Sequence, residues 1–193
     1  MSDRKIEAEI HTGRPATVRE GSGEDPDAFR AVMAGWVTGV AIVAVRDSDD
    51  GQIHATTVSS LASVSADPPR IVISLGAGAQ ALPFLAAPGG ADAGGTGDPE
   101  GTRFAVSVLS EGQADLARRY ADSYPVGPSP FPEDGDPVVD GAAAVMVCEV
   151  TGMVPVGSCR LVVALVRKAY VNEGAGGRIP PLLHYDREYH SLP

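Results

Sequence analysis

The densest run of side chains able to hydrogen-bond without carrying charge is Thr56-Thr57-Val58-Ser59-Ser60, continued by Ser63 and Ser65 and closed by Asp67-Pro68-Pro69. Hydroxyls and free backbone amides at a strand end can satisfy the edge of a flat heterocycle, which needs donors and acceptors but no ion. The same residues also suit an exposed Ser/Thr strand face, and pattern alone leaves both readings open. Other chemistries lack their residues. No Gly-x-Gly-x-x-Gly follows a strand, and neither a Walker loop nor a Gly-x-Ser-x-Gly elbow occurs. His11, His54, His184 and His190 show no metal-ligand spacing and read as surface or structural residues. Cys148 and Cys159 form no Cys-x-x-Cys pair, so no zinc or other metal site is expected. Two reduced thiols are the plain reading, with a disulfide left open.

The elements that must position these groups are mostly strands. Asp25 can cap a helix, Pro26 suits its first position, and Phe29, Val32, Met33 and Trp36 recur at helical spacing up to Gly39. The β-branched run 40–46 reads as a buried strand. Asp47–Gly51 reads as a hairpin turn, and 52–60 as the returning strand. Pro68-Pro69 forces extended chain ahead of a strand at 70–75. A short helix is expected over 77–87, a Gly/Pro/Asp loop over 88–101, a strand at 103–109 and a helix at 113–121 with Leu116 and Ala117 inward. The proline-rich stretch 122–141 reads as an irregular loop. Two long strands follow, joined by a turn around Pro155 and Gly157, and the tail at 181–192 reads as a short strand and a turn or helix end. Strands and turns at this spacing imply a closed antiparallel barrel.

The 193-residue chain fits one domain at 25–193 behind a polar, flexible arm at 1–24. A formal net charge of -10 argues against a nucleic-acid partner and against anionic lipid. No run of apolar residues is long enough to span a membrane as a helix, and the N-terminal arm is not a secretory signal, so a cytoplasmic location is expected.

Several segments carry a resemblance. Phe29-Arg30-Ala31-Val32-Met33 leading to Thr38-Gly39-Val40 is similar to the opening of flavin reductase-like proteins. The segment from Thr57 to Pro69 is similar to that family's signature, Thr-x-Ser-Ser-x-x-Ser-Val-Ser-x-x-Pro-Pro. Phe104 to Leu109, Gln113 to Ala117, Tyr120-Ala121 (where Phe-Ala is usual), Cys148-Glu149-Val150 and Pro181-Leu182-Leu183-His184-Tyr185 follow in the family's order. The resemblance covers 28–191. It implies a mainly β (α+β) fold, the FMN-binding split β-barrel with short flanking helices, and usually a homodimer. It implies an NAD(P)H-dependent flavin reductase that takes FMN or FAD, uses NADH or NADPH, and hands reduced flavin to a partner monooxygenase. By the same resemblance Thr56, Thr57, Val58, Ser59 and Ser60 contact the isoalloxazine ring, and Ser63 and Ser65 support the ribityl chain or phosphate.

Two departures qualify what the resemblance implies. The loop after the 70–75 strand usually carries side-chain donors for the flavin phosphate. Here it reads Gly76-Ala77-Gly78-Ala79-Gln80, so Gly76, Ala77 and Gln80 are expected to act mainly through backbone amides. The turn that is commonly Gly-Asp-His in the family is Gly157-Ser158-Cys159. A thiol does not replace imidazole as a proton donor near neutral pH unless its pKa is lowered. Cys159 and His184 are therefore weak catalytic candidates, and Cys159 also reads as a small buried hydrophobe. Hydride transfer between stacked rings is mostly positioning, so the lost histidine bears on rate before it bears on reaction type. The rival reading is a split-barrel protein that binds flavin or another ligand without efficient reductase activity.

Overall fold

The computed structural model describes residues 6–9, 15–18, 25–85, 101–121 and 125–192. Two compact units emerge, Met1–Val37 with Tyr185–Arg187, and Thr38–His184 with Glu188–Pro193.

In the first unit, β1 (Ile6–Glu9) and β2 (Pro15–Val18) pair antiparallel, where the sequence suggested no element. Helix α1 (Pro26–Ala34) begins as expected, with the Asp25 carboxylate accepting from the Asp27 amide at 2.9 Å. It ends before Gly35, not at Gly39. The Gly35 amide bonds back to the Val32 carbonyl at 3.1 Å, and Thr38–Gly39 has already become strand β3. Gly35, four residues ahead of the expected stop, terminates the helix.

The second unit is built on a seven-stranded antiparallel sheet. Its strands are β4 (Ala41–Arg46), β5 (Ile53–Val58), β6 (Ala62–Ala66), β7 (Pro69–Gly76), β8 (Arg103–Val108), β9 (Ala144–Val156) and β10 (Cys159–Val171). They lie in the order β5-β4-β8-β9-β10-β7-β6. Helix α2 (Ala114–Ala121) covers part of one face. β4 is apolar at nearly every position because both of its faces are covered. Val43 and Val45 join a core with Ile73, Phe104, Val106 and Val162. Ile42 and Ala44 join a second core with Leu109, Ala117, Val145 and Leu182.

The sheet curls until its ends meet. β5 is one edge, and β7 lies beside the other. The Ser60 hydroxyl just past β5 donates to the Ser74 carbonyl on β7 at 2.7 Å and accepts from the Ser74 amide at 3.1 Å. A split barrel of mainly β type results, with short helices beside it.

The helix expected over 77–87 is absent from the described part of that segment. Only a 3-10 turn forms, Leu82–Phe84. Gly76 and Gly78 weaken any helix at its start, and the rest of that segment, with most of the 88–101 loop, lies outside the described residues. The tail is a hairpin rather than a strand and helix end. β13 (Leu183–Tyr185) and β14 (Glu188–His190) flank Asp186 and Arg187, whose φ angles of 49° and 65° make the turn. A small antiparallel pair, β11 (Glu173–Gly174) and β12 (Gly177–Arg178), was not expected.

A bulge in β10 places one buried charge. The register against β9 shifts between Val166 and Lys168, leaving Arg167 as the extra residue. Its guanidinium donates twice to Glu149 on β9, Nε to Oε2 at 3.0 Å and Nη2 to Oε1 at 3.2 Å. These bonds hold the Glu149 carboxyl below its ordinary range, against burial, which pushes it up.

Candidate functional site

A cleft of about 400 Å³ opens where the sheet ends meet. One wall is Thr56, Thr57, Val58, Ser59 and Ser60, from β5 and the residues after it. The other is Ser74, Leu75, Gly76, Gly78 and Ala79, from the end of β7 and its loop, with Ala121 at the end of α2. The lining carries hydroxyls, small apolar groups and backbone, and no charged side chain.

The hydroxyls divide by their partners. Thr57 Oγ1 donates to the Ala117 carbonyl at 2.8 Å and ties β5 to α2. The Ser60 hydroxyl is used by Ser74. Among the described residues, the Thr56 and Ser59 hydroxyls have no protein partner, so they remain available to a ligand. In the opposite wall the Ala77 amide donates to the Ser158 carbonyl at 3.2 Å, and the Ala79 amide to Gly76 at 2.9 Å. No described protein acceptor takes the Gly78 or Gln80 amide. A Cβ built on Gly76 or Gly78 meets no atom within 4 Å, so a ligand has room to lie against this backbone.

The remaining candidates fall around this cleft. Ser63 and Ser65 lie on β6, outside the lining, where the register against β7 slips between them. The Ser65 hydroxyl is turned to the Asp67 carbonyl at 3.1 Å. Ala77 and Gln80 are in the loop but not in the lining. Cys159 pairs with Gly76 across β10 and β7, so the 157–159 turn stands beside the glycine wall. Its side chain is partly exposed, not buried as the plainer reading held, with Sγ 4.0 Å from the Ser158 hydroxyl. His184 pairs with Thr38 on β3, and its ring lies 5.7 Å from that of Tyr189, outside the lining. Cys148 is buried, and burial pushes its thiol up to about 12. Ser74, Leu75, Gly78, Ala79 and Ala121 were not anticipated. Ser74 alone left a signal, as the one hydroxyl in an apolar strand.

The family model for the flavin reductase like domain matches residues 33–193. The chain belongs to the flavin reductase like family. The NADH-dependent flavin reductase StyB of Pseudomonas fluorescens is 31% identical over 173 residues, 88% of this chain and 91% of the relative. The actinorhodin polyketide dimerase of Streptomyces coelicolor is 32% identical over 172 residues, 87% of each chain. Among solved structures, the styrene monooxygenase flavin reductase SMOB of Pseudomonas putida S12 superposes with a TM-score of 0.68 at 28% identity. That match covers 86% of this chain and 97% of SMOB. The split barrel of this flavin reductase family member is thus seen in a relative of known structure.

Proposed function

We propose that the chain reduces flavin with NADH and supplies the reduced flavin to a separate monooxygenase. The uncharged, hydroxyl-lined cleft in a flavin reductase domain carries this reading. Isoalloxazine is flat, with donors and acceptors along its edge. The unengaged Thr56 and Ser59 hydroxyls fit that edge, and the open backbone at Gly76 and Gly78 leaves room for the rest of the molecule. When bound, the flavin supplies a two-electron acceptor for the hydride that the nicotinamide gives up. The chain's own task is to hold the ring edge and keep one face open for a second stacked ring. FMN and FAD both suit the cleft, since no side chain in the lining selects for the adenylate. Names of relatives favour NADH over NADPH and a monooxygenase partner.

The second unit of this reading is assembly. Nothing in α1 is buried, and Phe29, Val32 and Trp36 are 63%, 74% and 66% exposed. A second copy covering these side chains would give the two-fold homodimer. Steady-state NADH oxidation with added FMN or FAD tests the activity. Turnover that depends on flavin is expected. Tight flavin binding without NADH oxidation would overturn it in favour of a passive binding protein.

A further inference from the structure

His54 stands two residues before Thr56, on the same face of β5. Its ring lies flat on that of Phe84, with centroids 3.5 Å apart and planes 9° apart. Phe84 closes the 3-10 turn that follows the cleft loop and packs against the first core. The pair is outside the cleft lining, and among the described residues no cluster of His, Cys, Asp and Glu could hold a metal. The observation left for His54 is its stack on Phe84.

The Gly76–Ala79 loop carries one turn bond of its own, from the Ala79 amide to the Gly76 carbonyl at 2.9 Å, and Ala79 packs against the first core. Gly76, Ala77, Gly78 and Ala79 offer nothing larger than a methyl group, and glycine restricts the backbone least of all residues. The rest of its shape comes from links to firmer structure. Upstream, Ser74 is tied to Ser60 in both directions, and the Ala77 amide is tied to Ser158. Downstream, Ala81 and Leu85 are buried in the first core, and Phe84 adds a stack on His54 of the strand that forms the opposite wall. Both the Ser60 and the His54 links end on the segment that carries Thr56 and Ser59. That segment therefore presents one wall of the cleft and also helps fix the distance to the other.

We propose that His54 is a positioning residue for flavin binding, acting through its stack on Phe84 to hold the Gly76–Ala79 wall at the spacing the ring requires. This rests on reading the cleft as the flavin site. The contact required is a flat ring on a flat ring, not an imidazole as such.

The test compares His54→Ala with His54→Phe, which keeps the flat ring, in steady-state NADH oxidation with FMN and in FMN binding followed by fluorescence quenching. His54→Ala is expected to raise the KM and Kd for FMN about two- to tenfold, the range of a lost aromatic pair, with kcat and the KM for NADH within about twofold. His54→Phe is expected to stay near the wild-type values. Phe84→Leu, which keeps apolar volume but loses the ring, should reproduce the His54→Ala rise and carries the test if His54→Ala does not fold. A purely structural role would lower the melting temperature without moving the KM for FMN, and that result overturns the proposal. So does a His54→Phe variant as weak as His54→Ala. Wild-type protein that binds FMN but oxidises no NADH would overturn the reductase reading instead, while the Kd comparison would still decide the role of His54.

Discussion

Thr56 and Thr57 both line the cleft, but their hydroxyls have different duties. The Thr57 hydroxyl is engaged by the Ala117 carbonyl, so it belongs to the scaffold. Thr56 lines the cleft with its hydroxyl unengaged by described protein groups. Valine at each position separates the two roles. Thr57→Val removes a second donor from the Ala117 carbonyl, which the helix already bonds through Ala121, and should cost about 0.5–1.5 kcal/mol of stability. Thr56→Val should leave the melting temperature nearly unchanged and raise the KM for flavin about two- to tenfold, the range of one net hydrogen bond. Melting curves and flavin KM on the two variants check both statements. Equal effects of the two substitutions on KM would remove Thr56 from the ring edge.

Between the scales of residue and barrel, the hairpin of β9 and β10 decides what stands beside the cleft. Its turn uses Gly157, with a φ of 55° that favours glycine, and then Ser158 and Cys159. Cys159 faces Gly76 in register and is partly exposed, so a larger side chain there meets space rather than core. The double variant Ser158→Asp, Cys159→His is therefore expected to keep its melting temperature. NADH oxidation should rise on the order of threefold to thirtyfold, less than a full acid–base effect because hydride transfer needs no proton donor at that step. Unchanged turnover would show that the turn does not reach the nicotinamide. The sequence was legible where burial writes a strong pattern. The run 40–46 is apolar on both faces, and the hairpin 41–58 has its Asp/Gly turn, so both were placed from residues alone. Legibility fails where pairing partners are remote. Nothing local marks the short exposed strands β6, β11, β12 and β14. The segment 77–87 reads as helical because Ala and Leu dominate it, although its described part is fixed by remote partners, the Ser158 carbonyl and the first core. For the same reason the hydroxyl wall of the cleft could be read in advance, while most of the wall opposite, apart from Gly76, could not.

At the scale of the whole molecule, charge is the property that neither a residue nor an element reveals. Glu149 is 9% exposed and is held by the bulge residue Arg167, so its carboxyl stays below the ordinary 4.5. The folded state thus binds this proton less tightly than the unfolded chain. The stability from the pair is full above that ordinary value and is lost as pH falls through the lower folded value. Glu149→Gln should unfold more easily near neutral pH, since Arg167 loses its anionic partner, yet show a flatter loss of stability in acid. Urea midpoints measured from neutral pH downward check this, and a parallel shift at every pH would contradict it. The cleft has an electrostatic consequence of a different kind. Its lining carries no charge, while the chain has a formal net charge of -10. FMN and NADH carry phosphates, so they approach a long-range field that repels them and find no cation in the lining to compensate. Salt shortens the reach of such a field to roughly 10 Å at 0.1 M. Added salt should therefore lower the KM for both ligands, the reverse of what a cationic phosphate clamp produces. Riboflavin has no phosphate to repel and should keep its KM through the same titration, so the difference between the two flavins isolates the field from the ring.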